Sequence, residues 1–492
     1  MLAYHFDKGE VWESAVEYGV KAGAKAHHAY NLQASLAHFN QAKEILEQHE
    51  PAVPWTVRYD LFFEMSGTLL DLGQPHHAFR ESKALVDIAH REGTSDVRVQ
   101  AMFSRALAAM YAHENDQLET TLKEMEPLVI DNPDNLLGVV ALQLCRFLII
   151  SLDLPSALSK EKEVNDVFRR APNSPFYAVA ALFTGLSHRW RGNFKKCSEI
   201  LEPLLPKLRA SASPVSYLDS TVFCGLAVGE EGLYQKAIRI LREGRELGIK
   251  AGERYSTAKL TNSLGWAYHE LCHIDKAIKY NNLALESIKD FLGPDASSLF
   301  EIESHTQINL GENYFASGDL QKAQEHLELV YENAKKPEYY FVRSRWKPRC
   351  LLGLSELWLQ MGDTDKAESF LSKLFEHGWT DGFPFKKYQV RAWRLRGQIQ
   401  SAKGRFEEAE IELHRALSQA RELGNPTVLW HTHQALGNLL LKQDKREEAR
   451  IAFQAAVKVV QGLAEDLTDV ELKEGYLKSE PVQKLISLAQ GS

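Results

Sequence analysis

A small residue followed twelve positions later by alanine recurs along this chain, most plainly at Gly265/Ala277, Gly311/Ala323, Gly397/Ala409 and Gly437/Ala449. A fixed internal interval constrains the fold strongly, because each copy must be one unit that buries its face on the next. Leucine often precedes the glycine (Leu264, Leu310, Leu436), and an aromatic can follow three later (Tyr268, Tyr314). Extended in both directions, the interval gives twelve rungs. They are Ala3/Ala15, Gly23/Ser35, Ser66/Ala78, Ala108/Thr120, Cys145/Ala157, Gly185/Cys197, Gly225/Ala237 and Gly265/Ala277, then Gly311/Ala323, Ser355/Ala367, Gly397/Ala409 and Gly437/Ala449. Small positions step by forty from Cys145 to Gly265, and later steps shrink from forty-six to forty.

Close packing accounts for the pattern: two antiparallel helices joined by a tight turn approach only where side chains are small. Ser317-Gly318-Asp319, Met361-Gly362-Asp363, Lys403-Gly404-Arg405 and Arg191-Gly192-Asn193 supply the turn, with glycine ending the first helix in a left-handed conformation. Gly424-Asn425-Pro426 stops one repeat and restarts the next. Along the second helix, Leu327/Val330, Leu371/Leu374, Leu413/Ala416 and Phe453/Ala456 have the spacing of one buried stripe. The expected fold is all-α, a right-handed superhelical solenoid of about twelve antiparallel helix pairs with a period near forty. Residues 1–140 read as degenerate repeats, 141–462 as the regular solenoid and 463–492 as capping helices.

These residues resemble the tetratricopeptide repeat, whose pattern is Leu-Gly-x-x-Tyr, a Gly-Asp turn, then alanine. The match is strongest over 260–460. The period exceeds the usual thirty-four residues, and in that respect resembles the longer repeats of bacterial signalling ATPases and maltose-regulon activators. Leu2–Phe6, Trp12–Tyr18 and Lys21–Gly23 are similar to the segment following the ATPase module of large cyclase-and-ATPase proteins. Leu472–Leu488 resembles the terminal helices of the same proteins. The helical pattern begins at Leu2 without a cap or a polar outer face, which is the reading of a solenoid belonging to a longer protein.

With 44% apolar and 25% charged residues, the composition is that of a folded soluble chain. No run of eighteen apolar residues suggests a membrane span, no leader is visible, and a net charge of −8 over 492 residues argues against nucleic acid as a general partner. The five cysteines (145, 197, 224, 272, 350) are scattered and never form Cys-x-x-Cys, the pattern of free thiols in a reducing cytosol. Cys145 and Cys197 stand on rungs and Cys224 immediately before one, as small apolar fillers.

His269-Glu270-Leu271-Cys272-His273 matches the zinc-peptidase pattern, which needs one continuous helix to put both imidazoles on a face. The repeat register instead puts a helix break between the two histidines. The pairs His27/His28, His76/His77 and His431/His433 do not share helix faces and read as ordinary surface or turn histidines. No phosphate loop, nucleophile elbow or dinucleotide fingerprint occurs. No metal, cofactor or catalytic residue is therefore assigned.

Two basic, aromatic stretches, Tyr339–Arg349 and Lys386–Arg396, open successive first helices. In this type of solenoid, the residues six and three before the small position face the concave groove. That places Arg349, Arg391, Arg394, His431 and Gln434 there, together with Asn438, one after Gly437. Guanidinium groups in a groove favour a carboxylate-bearing, acidic peptide. The expected function is a non-catalytic protein-interaction scaffold, the regulatory or sensor region of a larger signalling ATPase or cyclase. It would hold a peptide, a partner domain or an upstream domain of its own parent. The alternative is a small-molecule inducer sensor drawing on Trp266, Tyr268, Tyr314, Phe315, Trp346, Trp358 and Trp393, most of which also read as core; zinc peptidase activity is a remote third.

Overall fold

The computed structural model describes residues 2–112, 114–130, 177–210, 214–289, 297–336, 339, 345–376 and 385–491. Every regular element among them is a helix. After a short α1 (Leu2–Lys8) come the pairs α2 (Trp12–His28) with α3 (Leu32–His49), α4 (Trp55–Asp71) with α5 (Pro75–Glu92), and α6 (Ser95–Tyr111) with α7 (Asn115–Ile130). Next are α8 (Tyr177–Trp190) with α9 (Phe194–Leu201), a five-residue α10 (Leu205–Arg209), α11 (Pro214–Glu230) with α12 (Tyr234–Ala251), and α13 (Tyr255–Glu270) with α14 (Ile274–Lys289). Then come α15 (Ser297–Ala316) with α16 (Leu320–Asn333), α17 (Lys347–Gln360) with α18 (Thr364–Glu376), and α19 (Lys386–Ala402) with α20 (Phe406–Leu423). The series ends with α21 (Pro426–Lys442) and α22 (Arg446–Glu465), followed by α23 (Val470–Lys478) and α24 (Glu480–Gln490). Partners in most pairs pack most extensively on each other and then on the next pair, giving an all-α solenoid.

The rungs explain the pairing. From Ala15, Ser35 and Ala78 through Cys197, Ala237, Ala277, Ala323, Ala367, Ala409 and Ala449, the second member is the fourth residue of its helix and is completely buried. One described rung departs from this. Helix α7 begins at Asn115, so its fourth residue is Leu118, fully buried, whereas Thr120 is exposed and donates its hydroxyl to the Asp116 carbonyl. The turn keeps the length of the others; the small position that pairs with Leu118 twelve residues on is Ala106, also completely buried, two residues before Ala108. Ala3 is half-buried on α1, which packs on the same α2 that opens the Gly23 copy, so these two rungs share a helix. The Cys145/Ala157 rung lies outside the described residues.

The glycine does not mainly accommodate the alanine; it faces the large residue four further on. A Cβ at Gly311, Gly397, Gly225 or Gly185 would lie 2.6–2.9 Å from Leu327, Leu413, Leu241 or Leu201 respectively, and one at Gly437 would strike the Phe453 ring. The seam is thus a glycine notch filled by a leucine or phenylalanine sixteen residues later, and the turns close as expected, with Gly192, Gly318, Gly362 and Gly404 at positive φ.

The solenoid also closes on itself. Asn425 Nδ2 donates to the Glu230 backbone carbonyl at 2.9 Å and to its carboxylate at 2.7 Å, and Tyr234 and Thr427 hydroxyls meet at 2.6 Å. Gln235 Oε1 accepts from the backbone N–H of Thr468 and Asp469. Helix α23 docks on the turn after α13, where the His273 ring lies against Gly475 and its Nε2 donates to the Leu472 carbonyl at 3.1 Å. The last pairs therefore sit on α11–α14, about two hundred residues earlier, and the concave face becomes bounded.

Candidate functional site

The space so bounded is a partly open cavity of about 650 Å³ ringed by the first helices of successive pairs, α8, α11, α13, α15, α17, α19 and α21, and rimmed by the start of α24. Its lining follows the repeat register. Six before the small position come His305, Arg349, Arg391 and His431; three before come Arg394 and Gln434; one after come Leu226, Trp266, Glu312, Glu356, Gln398 and Asn438. The structure thus gathers Arg349, Arg391, Arg394, His431, Gln434 and Asn438 around one cavity. Of the seven aromatics considered for a ligand pocket, Trp266, Phe315 and Trp346 line it, while Tyr268, Tyr314, Trp358 and Trp393 do not. In the first basic stretch, 340–344 lie outside the described residues.

The arginines are not free cations awaiting an acidic partner. Arg349 pairs with Glu312; Arg391 bridges Glu312 at 2.6 Å and Glu356 at 2.5 Å; Arg394 reaches Glu356 at 3.3 Å. Glu312 and Glu356 thus link first helices across neighbouring repeats. Burial alone would raise the Glu312 carboxyl, but Arg349 and Arg391 outweigh it and hold it well below the usual carboxylate range. Arg391 and Arg394 overcome burial at Glu356 in the same way. Opposite them, Lys387 lies 2.9 Å from Glu230 and 3.5 Å from Glu270, and Glu270 also accepts from Trp266 Nε1 at 2.8 Å and Tyr234 at 3.2 Å. Burial and then the guanidinium groups of Arg349 and Arg189 push His305 well below its ordinary value. Burial and then Arg394 do the same at His431, so both imidazoles are neutral at pH 7.

The sequence reading missed the glutamates, although the position that gave Asn438 contains Glu312 and Glu356 in two earlier copies. Among the described residues, His431, Gln434 and Asn438 have no hydrogen-bond partner, leaving the lining with uncommitted neutral groups beside its committed charges. A peptide or other ligand offering amides or hydroxyls suits these groups.

The zinc-like motif is split as the register required. Helix α13 ends at Glu270, Cys272 takes φ 58°, and α14 starts at Ile274. His269 turns to Asn313 and His273 to α23, and no cluster of three metal-ligating residues exists among the described residues. Cys197, Cys224 and Cys350 are buried; burial pushes the first two thiols up to about 12, poor nucleophiles at neutral pH. No described helix is long and apolar enough to cross a membrane.

Comparison with known proteins agrees with the geometry. The tetratricopeptide repeat family matches residues 304–328, the end of α15 through the start of α16. No curated protein sequence matches significantly. Among solved structures, a Rap protein complexed with Competence and Sporulation Factor is similar over 76% of this chain and 100% of its own, at 13% identity and a TM-score of 0.58. A tetratricopeptide repeat protein from Parabacteroides merdae aligns over 60% of this chain and 98% of its own, at 16% identity and a TM-score of 0.36. At these identities the first likeness is one of fold: the chain is a helical solenoid of the tetratricopeptide type.

Proposed function

We propose that this protein is a non-catalytic binding scaffold that holds a short peptide segment inside its bounded concave cavity. The observation carrying this reading is the ring itself: the inner rows of seven repeats, bounded by the C-terminal pairs, line about 650 Å³ with fixed ion pairs and unpartnered neutral side chains. A whole partner domain does not fit such a space, so recognition is of a segment. The arginine–glutamate pairing shifts the expected partner from an acidic peptide toward one bound through amides. The similar Rap protein, solved with Competence and Sporulation Factor, is a fold-level parallel for a ligand-holding solenoid. The finer reading, a regulatory region of a signalling ATPase or cyclase, rests on the resemblance at residues 2–23 and 472–488.

Selection of peptides from a displayed library against the full chain, followed by titration monitored through the cavity tryptophans (190, 266, 346, 430), tests the proposal. Gln434→Ala with Asn438→Ala is expected to weaken binding at least tenfold, and reversing Arg391 and Arg394 to glutamate to abolish it. Unchanged binding with helical circular dichroism intact removes the cavity from the account. A second reading, a small-molecule sensor, is favoured by the cavity volume, which lies within the range of small-ligand sites. A metabolite that raises the melting temperature in a dose-dependent way would select it.

A further inference from the structure

Among the described copies with glycine at the small position, one seam residue breaks the apolar rule. Sixteen residues after the small position stand Leu201, Leu241, Leu327, Leu371, Leu413 and Phe453, but the Gly265 copy has Asn281, completely buried and pressed into the Gly265 notch. Its amide begins a chain that runs from the core to the cavity wall. Asn281 Nδ2 donates to the backbone carbonyl of Asn262 at 3.1 Å and to its Oδ1 at 2.7 Å. A backbone carbonyl cannot donate, so this contact fixes the Asn281 amide with Oδ1 facing outward. That oxygen accepts from Asn313 Nδ2 at 2.7 Å, which in turn leaves Asn313 Oδ1 toward His269 Nδ1, also at 2.7 Å. Only a protonated Nδ1 satisfies an oxygen acceptor.

His269 lines the cavity, and its Nε2 has no partner among the described residues. Each link of the chain forces the next, so the neutral ring has its proton on Nδ1 and presents Nε2 as an acceptor. We infer that His269 is a fixed hydrogen-bond acceptor of the binding cavity, and that the bound segment places a neutral donor, a backbone amide N–H, on Nε2. An ammonium suits the position poorly, because Glu230, Glu270, Glu312 and Glu356 are all engaged by lysine or arginine, and Glu480, the other carboxylate of the lining, is exposed at the rim. The donor assignment rests on the proposed peptide-binding reading; the tautomer does not.

Nitrogen-15 NMR of the full chain with labelled histidine, assigned by a His269→Phe spectrum, reads the tautomer directly. The expected result near pH 7.5 is a protonated-type Nδ1 and a pyridine-type Nε2. In Asn313→Leu, with His269 retained, the protonated-type signal should move to Nε2. An Nε2–H tautomer in the wild type overturns the inference. For the donor, the probe is acetyl-tetraalanine amide against its counterpart with backbone N–H groups replaced by ester oxygens. The amide peptide is expected to bind at least tenfold tighter to the wild type, and the preference should vanish in His269→Phe. Equal binding of both probes overturns the donor assignment while leaving the peptide reading standing. Binding of neither overturns the donor assignment together with the peptide reading, and the NMR alone then judges the tautomer.

Discussion

The Gly265 and Gly311 copies are the same helix pair with their polarity exchanged. In the Gly311 copy the seam is closed by Leu327, and the charge stands on the cavity wall one residue after the glycine, as Glu312. In the Gly265 copy the wall position is Trp266, and the polar group has moved into the seam as Asn281. One backbone interval serves both because the glycine notch asks only for volume, and leucine and asparagine have similar reach. The difference teaches that the seam is a packing device in most copies and a wiring device in one. A repeat position can leave scaffolding for site building without changing the fold.

The largest expected effect comes from breaking the wall of the Gly311 copy. Glu312→Gln leaves Arg349 and Arg391 short of a buried counter-charge and should cost about 3–5 kcal/mol in denaturant unfolding. Because the Glu312 pKa is depressed in the fold, its contribution is present at neutral pH. It is lost only as pH falls below the ordinary carboxylate range, through the lowered folded value. Breaking the seam of the same copy comes next: Leu327→Ala should cost about 2–5 kcal/mol through the void it opens against Gly311 and Gly353.

Asn281→Leu sharpens the comparison, since it restores the residue type of most other copies. If seams were interchangeable, it would stabilise. It is expected instead to destabilise by about 1–3 kcal/mol, because the Asn313 amide loses its acceptor in a buried site and Asn262 Oδ1 keeps only the Asn309 amide. A melting temperature at or above wild type would show that the asparagine chain is incidental.

A smaller, pH-dependent effect separates a wired carboxylate from an isolated one. Burial raises Glu253 to about 8, against the pull of backbone N–H bonds from Ser256 and Thr257, with no lysine or arginine paired to it among the described residues. Its folded pKa lies above its unfolded one, so the folded chain binds the extra proton. Stability from this group is full at low pH and declines as pH rises from about 4.5 to about 8. Chemical denaturation across that window should show the decline, and Glu253→Gln should flatten it. Glu312, whose shift has the opposite sign, contributes a rise with pH only near its ordinary value of 4.5 and no slope through the upper part of that window.

The sequence made the scaffold legible and much of the site, for a common reason. Periodic contacts leave periodic traces: the buried fourth residue of each second helix, the glycine turns and the inward rows holding Arg349, Arg391, Arg394, His431 and Gln434 are all read by counting. Thr120 failed because alanines crowd α6 and the count began at Ala108; from Ala106, five residues before the helix end as in the other copies, the interval reaches the buried Leu118. Glu312 and Glu356 were within reach of the rule that found Asn438, but arginines alone suggested an acidic ligand. Asn281 was a visible exception to an apolar column. The closure left no such trace, since Asn425 meets Glu230 across 195 residues with no repeat relating them. The split of His269 from His273, by contrast, followed from register alone.

The solenoid closes into a ring, which makes a bounded cavity from an open groove. Lys276 and Glu471 form an exposed ion pair at 2.5 Å across the closing contact, on α14 and α23. Spin labels at these two positions, after Lys276→Cys and Glu471→Cys with the native cysteines replaced, report their separation in solution by double electron–electron resonance. A closed ring gives a short, narrow distance distribution in the protein without any added ligand. A long or broad distribution would contradict it and return the concave face to an open groove.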